Sequence, residues 1–286
     1  MVLHRPRAIA DIGAAGTLNI EYAPRDRHTI IARSHCTSPW HLFPPIYLDD
    51  SGAAYTLLLN PSGGLVGGDR MTIDLAVKTG AHAIISTPSA NRVYRSPSAH
   101  AVQAVDITVE SNGLLEWLPE PTIPFAGSRF RQAIRVRVAR GGAVVLWDAV
   151  AAGRIAQGER WAFASLENDL IIATASGGSL RERFCLDQHA SRLAGLVSVW
   201  DYVGSLYIVS DAIPADNWKS LEVSIGEMLD GEPKRLLGGV SRPSVPGLVV
   251  KVAARSAPVL AAVLNRLWTA VRATLWGLPP LRLRKY

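Results

Sequence analysis

From Met71 to Lys78, the apolar residues Ile73, Leu75 and Val77 alternate with Thr72, Asp74, Ala76 and Lys78. The same period of two returns in Val105–Glu110, where Val105, Ile107 and Val109 alternate with Asp106, Thr108 and Glu110. Successive strand side chains point to opposite faces, so each segment predicts a half-buried strand. Shorter runs of the same kind occur at Thr29–Ala32, Tyr55–Leu59, Ala83–Thr87, Phe130–Val138, Ala143–Val150, Leu170–Ala173 and Leu206–Val209. Clusters of Gly, Pro, Asn and Ser separate them, at intervals too short to hold crossover helices. The pattern predicts an all-β body over about residues 15–210, not an alternation of strands and helices.

Helical spacing begins later. Ala215–Leu229 places Trp218, Leu221, Ile225 and Leu229 three and four residues apart. Ala257–Trp276 does the same with Leu260, Leu264, Leu267, Val271 and Leu275, and sets Arg266 and Arg272 on other faces. Both segments predict amphipathic helices. Gly277 and the Pro279-Pro280 pair stop the second. No internal repeat or long linker divides the chain, so residues 1–286 read as one domain with a helical, basic C-terminal part over about 211–286.

Composition supports a packed core: 48% of residues are hydrophobic and 19% charged, which excludes a disordered chain. The net charge of +6 is unevenly placed. Gly231–Tyr286 holds ten basic residues against the single acid Glu232, a net +9, which leaves the first 230 residues at about −3. Cys36 and Cys185 cannot build a disulfide framework and read as reduced thiols, which suits the cytoplasm. Met1–Gly13 lacks the apolar stretch of a secretory leader, and Ala257–Leu264 is too short to cross a bilayer, so no membrane is expected.

Several segments could carry chemistry. Asn60–Arg70 (NPSGGLVGGDR) is rich in glycine, but a strand follows it where a phosphate-binding loop needs a helix. It reads as a tight strand connection with Asp69 capping the turn. Glu116 lies inside the apolar run Leu114–Leu118, where a carboxylate is paired, protonated, beside water, or exposed at a strand end. Asp148 shares its strand face with Val144, Leu146 and Val150, and Glu182 shares its own with Leu180, Phe184 and Leu186. Each acid therefore looks inward, and needs an arginine, a metal or internal water. Arg154 is a possible counter-ion.

Arg129, Arg131, Arg135 and Arg137 share one strand face, with Phe130 on the other. Without interleaved aromatics the stripe does not read as a nucleic-acid surface. The histidines at 4, 28, 35, 41, 82, 100 and 189 form no metal-binding spacing with one another or with cysteine, so no tight metal site and no tightly bound cofactor is expected.

Five motifs in order, GGLVGGDR (63–70), TPSANRVYRS (87–96), LEWLPEPTIPF (115–125), GRIAQGE (153–159) and RERF (181–184), make the chain resemble the urease accessory protein UreD (UreH) family. The resemblance is close over about residues 15–190 and looser in the tail. It implies a non-enzymatic assembly factor with an elongated, mainly β, β-helix-like stack of strands and two α-helices in the C-terminal part. It further implies binding to apo-urease and to UreF, which recruits UreG, with nickel in transit through an internal polar tunnel. The family's tunnel positions fall on Asp69, Asn91, Asp148, Arg154, Glu159 and Glu182. The basic tail then becomes the expected UreF surface, through Leu260, Leu264, Leu267, Trp268 and Val271 with Arg266 and Arg272.

Two other classes fit the inward acids. One is a carboxylate-based hydrolase or lyase on a stacked β-fold, with Trp147 beside Asp148. The other is a metal-free binding scaffold held by buried salt bridges.

Overall fold

The computed structural model describes residues 15–187, 199–231 and 234–283. Met1–Gly13, His4, His189 and the last three residues lie outside them. Strands account for most of the regular structure, and only two α-helices of more than one turn occur among the described residues.

The chain winds as a β-solenoid. Strands β4 (Ala54–Leu59), β6 (His82–Ser86), β9 (Leu114–Leu118) and β12 (Ala143–Ala151) stack in parallel on one face. Strands β5 (Arg70–Val77), β8 (Ala101–Val109), β11 (Arg129–Val138) and β13 (Ser165–Thr174) stack in parallel on the facing sheet. Short strands β7 (Asn91–Val93) and β10 (Thr122–Pro124) form a narrow third side. Turns, not helices, carry the chain from face to face. The expectation of a β-helix-like stack therefore holds.

Antiparallel strands close the stack. The hairpin β1 (Ala15–Arg25) and β2 (His28–Cys36) adds to β5, and β14 (Ser179–Asp187) folds back on β13. On the other sheet β3 (His41–Leu42) pairs with β4, while β15 (Tyr202–Ser210), β17 (Gly247–Ala254) and β16 (Leu236–Ser241) extend outward from β12. The last two strands add sheet to the helical C-terminal part expected over about 211–286. Each is short and lies between helices. Even so, the run Leu248–Val252 is rich in β-branched residues, which favour a sheet.

The interior between the sheets is filled by rows of like residues in register. Ile73, Val105, Ile134 and Leu170 form one such row, and Leu75, Ile107, Val136 and Ile172 the next. The outer face of the β12 sheet is not solvated. Helices α1 (Ala215–Asp230) and α2 (Ala257–Trp276) cover it, which explains why β12 is apolar on both sides. α1 buries Trp218, Leu221, Ile225 and Leu229, the residues its spacing selected. α2 ends where Gly277 takes a left-handed φ of 63° and donates its N–H to the Ala273 and Arg272 carbonyls.

This packing corrects the assignment of α2 to a partner protein. Leu260, Leu264, Leu267, Trp268 and Val271 lie in the same core cluster as Leu206, Ile208 and Val250 of the chain's own sheet. Arg272 is fully buried as well. Of the seven proposed contact residues, Arg266 alone stands exposed. An apolar helical stripe buries itself on whichever surface is nearest, and here that surface is intramolecular.

Candidate functional site

One interior row breaks the apolar pattern on each sheet. On the β5 sheet, Met71, Gln103, Gln132 and Asn168 follow one another in register. On the β12 sheet, Asp148 sits opposite Ser205, and Ser205 opposite Lys251. The two rows meet. Gln103 donates to the Gln132 side-chain oxygen at 3.3 Å, and Gln132 donates to Asn168 at 3.2 Å. Gln132 and Asn168 then both donate to Oδ2 of Asp148, at 3.1 and 3.0 Å.

Burial pushes the Asp148 carboxyl up to about 6, and nearby Glu182 pushes the same way. The Gln132 hydrogen bond and the Lys251 ammonium oppose the rise. Glu182 completes the next row, paired with Leu170 across the β13–β14 ladder. Its carboxylate bonds the Lys251 ammonium, which also donates to Ser205 Oγ at 2.8 Å and to the Tyr207 hydroxyl at 3.2 Å. Burial first, and Glu182 second, raise the Tyr207 phenol far above its ordinary range, so it stays protonated.

Two cavities open on this cluster, and Asp148 lines both. The first, of about 70 Å³, reaches Gln103, Gln132 and Asp148 from a wall formed by Asn60, Gly64 and Asn91. The second, of about 470 Å³, is lined by Asp148, Glu182, Lys251 and Ser205 together with the aromatic Trp161, Phe184 and Trp200. The polar groups and the space suit ordered water.

Of the six positions expected along a tunnel, the structure brings Asn91, Asp148 and Glu182 to these cavities. The other three do not line either one. Asp69 is buried and accepts the Val66 N–H at 2.8 Å, the turn-capping role its loop suggested. Arg154 pairs with Glu159 at 2.9 Å and lies 4.4 Å over the Phe125 ring. That pairing holds the Glu159 carboxyl below its usual range, and Glu159 also accepts the Ala126 N–H. Arg154 is therefore not the counter-ion of Asp148 or Glu182.

The counter-ion is Lys251, which the sequence reading missed. Its signal was a single charge in the run Leu248–Ala254, on the opposite parity to Leu248, Val250 and Val252.

The other singled-out groups have structural roles. Glu116 is fully buried on the outer face of its sheet, where it accepts from Trp268 Nε1 and Arg272 Nη1 and meets His82 Nε2 at 2.6 Å. The glycine-rich loop is a close packing device: a Cβ on Gly64 would lie 2.7 Å from the Tyr94 ring. In the arginine stripe of β11, Arg131, Arg135 and Arg137 are exposed, with Arg131 paired to Glu167 and Arg135 near Asp106 on the neighbouring strands. Trp147 points away from Asp148, donating to the Pro119 carbonyl and packing on Trp268, so it offers no platform for a sugar there. Among the described residues no group of three His, Cys, Asp or Glu side chains gathers to hold a metal, and no helix is long and apolar enough to cross a membrane.

The fold is a β-solenoid with a polar row between its sheets and a helical layer on one of them. The chain belongs to the UreD urease accessory protein family, whose model matches residues 14–285. It is 31% identical over 275 residues to the urease accessory protein UreD of Cupriavidus necator, covering 93% of each chain. It is 32% identical to UreD of Cupriavidus pinatubonensis over the same length and coverage. It is 31% identical over 278 residues to UreD 2 of Streptomyces griseus, covering 94% of this chain and 93% of that one. The family places this chain in urease maturation.

Proposed function

We propose that this chain acts as a scaffold that binds apo-urease and the UreF–UreG accessory proteins and passes nickel through its interior. The observation that supports the reading is Asp148, which lines both cavities. The path runs from the Asn91 wall, along Gln103 and Gln132, past Asp148 to Glu182. Nickel holds more tightly to imidazole and thiolate than to carboxylate oxygen. A path of carboxylates, amides and water holds the ion weakly at several sites and releases it, as conduction requires.

The test is the pair Asp148→Asn with Glu182→Gln. Both substitutions keep shape and remove charge. The double variant is expected to fold and to pull down apo-urease and UreF as the native chain does, yet to yield urease with reduced nickel content. Fully nickel-loaded urease from a folded, partner-bound double variant would remove the conduit and leave scaffolding alone.

A further inference from the structure

The Lys251 ammonium shares the second cavity with Asp148 and is bonded there to Glu182. It occupies three oxygens at once, those of Glu182, Ser205 and Tyr207. Its charge is felt at Asp148, so it lies within electrostatic reach of both carboxylates. Two like charges at this separation repel, so the seated ammonium disfavours a second cation on the same oxygens. While the ammonium is seated, it competes with a divalent ion for the Glu182 Oε2 atom that it bonds.

The seat is also one the lysine can leave. About half of its side chain is exposed, at 47%, and the stem is long and flexible. The residue across the ladder is Gly239, and a Cβ built there meets nothing within 4 Å. Gly239 thus leaves open, in the second cavity, room into which the ammonium can swing.

We propose that Lys251 is the gate of the passage: a tethered ammonium that holds the Glu182 seat as a resident cation and yields it to an arriving divalent ion. The proposal rests on the reading of the interior as a nickel path. It adds that the path is closed at rest, and that one residue sets how much affinity an ion needs to open it. Lys251 is a positioning residue that acts through Glu182. It also explains how two inward acids are held in a folded chain that carries no ion: the lysine balances their charge until one arrives.

The test uses the full chain without partners, so it stands apart from urease activation. Ni²⁺ is titrated calorimetrically into the native chain and into Lys251→Met, Lys251→Arg and Lys251→Met/Glu182→Gln. Removing one like charge beside the seat is expected to tighten Ni²⁺ binding by roughly tenfold or more. Lys251→Arg should stay near native affinity, and Glu182→Gln should cancel the gain. Unchanged affinity in a folded Lys251→Met chain would overturn the gate. If Lys251→Met does not fold, the native chain still decides. Added Ni²⁺ should increase labelling of Lys251 by an amine-reactive reagent, and labelling that does not respond to Ni²⁺ would overturn the proposal. A working gate in a chain whose Asp148/Glu182 variant still loads urease fully would show instead that the conduit reading alone is wrong.

Discussion

Arg272 reaches Glu116 across 156 residues of sequence, and neither side chain has any exposed surface. The guanidinium also donates to Asp49 at 3.2 Å and to the Pro279 carbonyl at 3.1 Å. Trp268 and His82 occupy further positions on the Glu116 carboxylate. A buried charge pair is tolerated only when its lone pairs and protons are satisfied in this way. The pair therefore fixes where α2 sits on the solenoid.

Breaking one half of it should be costly. Glu116→Ala or Arg272→Ala is expected to lower stability by about 3–5 kcal/mol, because each strips a fully buried charge of its closest opposite charge. The double variant Glu116→Gln/Arg272→Met should lose less than either single change. Urea denaturation followed by circular dichroism measures all three. Deleting residues 255–286 should unfold much of the chain by exposing the sheet under α2, in place of removing only a partner's surface.

Asp148 should be a site where function opposes stability. Its folded pKa of about 6 lies above its ordinary 3.8. Between these values the folded chain holds a proton that the unfolded chain has released, so stability falls as pH rises through this window. Asp148→Asn is expected to gain about 1–3 kcal/mol at pH 7, since each tenfold change in proton affinity corresponds to about 1.4 kcal/mol. The gain should fade towards pH 4. Denaturation curves at several pH values check both the gain and its slope.

On the proposed nickel path, the same titration predicts how delivery responds to acid. A protonated Asp148 is a poor ligand, so nickel transfer to urease should fall as pH drops through about 6. Asp148→Asn should transfer less nickel throughout and lose most of this dependence. Nickel content of urease, assembled at a series of pH values, reads the outcome.

The counter-ion assignment has its own test. Lys251 holds the Asp148 pKa down, whereas Arg154 is engaged with Glu159. Lys251→Met should shift the Asp148 titration upward, and Arg154→Ala should leave it in place. Carbon-detected NMR of the Asp148 carboxyl distinguishes them. A shift in Arg154→Ala equal to that in Lys251→Met would contradict the assignment.

The loop that walls the first cavity depends on a close approach at Gly67. A Cβ there would overlap Ser96 Oγ and lie 2.7 Å from the Ala99 carbonyl oxygen. Gly67→Ala is expected to cost about 1–3 kcal/mol, the usual range for overpacking. Adding Ser96→Gly should recover part of that loss. Thermal denaturation of the single and double variants gives both values.

Much of this protein was legible along the chain because its determinants are local. Strand parity at β5, β8, β11 and β14 and helical spacing at α1 and α2 are set by residues two to four apart. Parity also marked Asp148 and Glu182 as inward without any structure. Sequence alone could not say what those acids meet. The Lys251 ammonium arrives from a strand 69 residues beyond Glu182, and the Gln132 and Asn168 amides face Asp148 from the opposite sheet. Nor could it say which surface the apolar stripe of α2 covers, since the same spacing serves a partner or a core. Those choices depend on the register between strands and on the docking of α2 through Glu116 and Arg272. Both are long-range, and only the folded chain brings the groups within bonding distance.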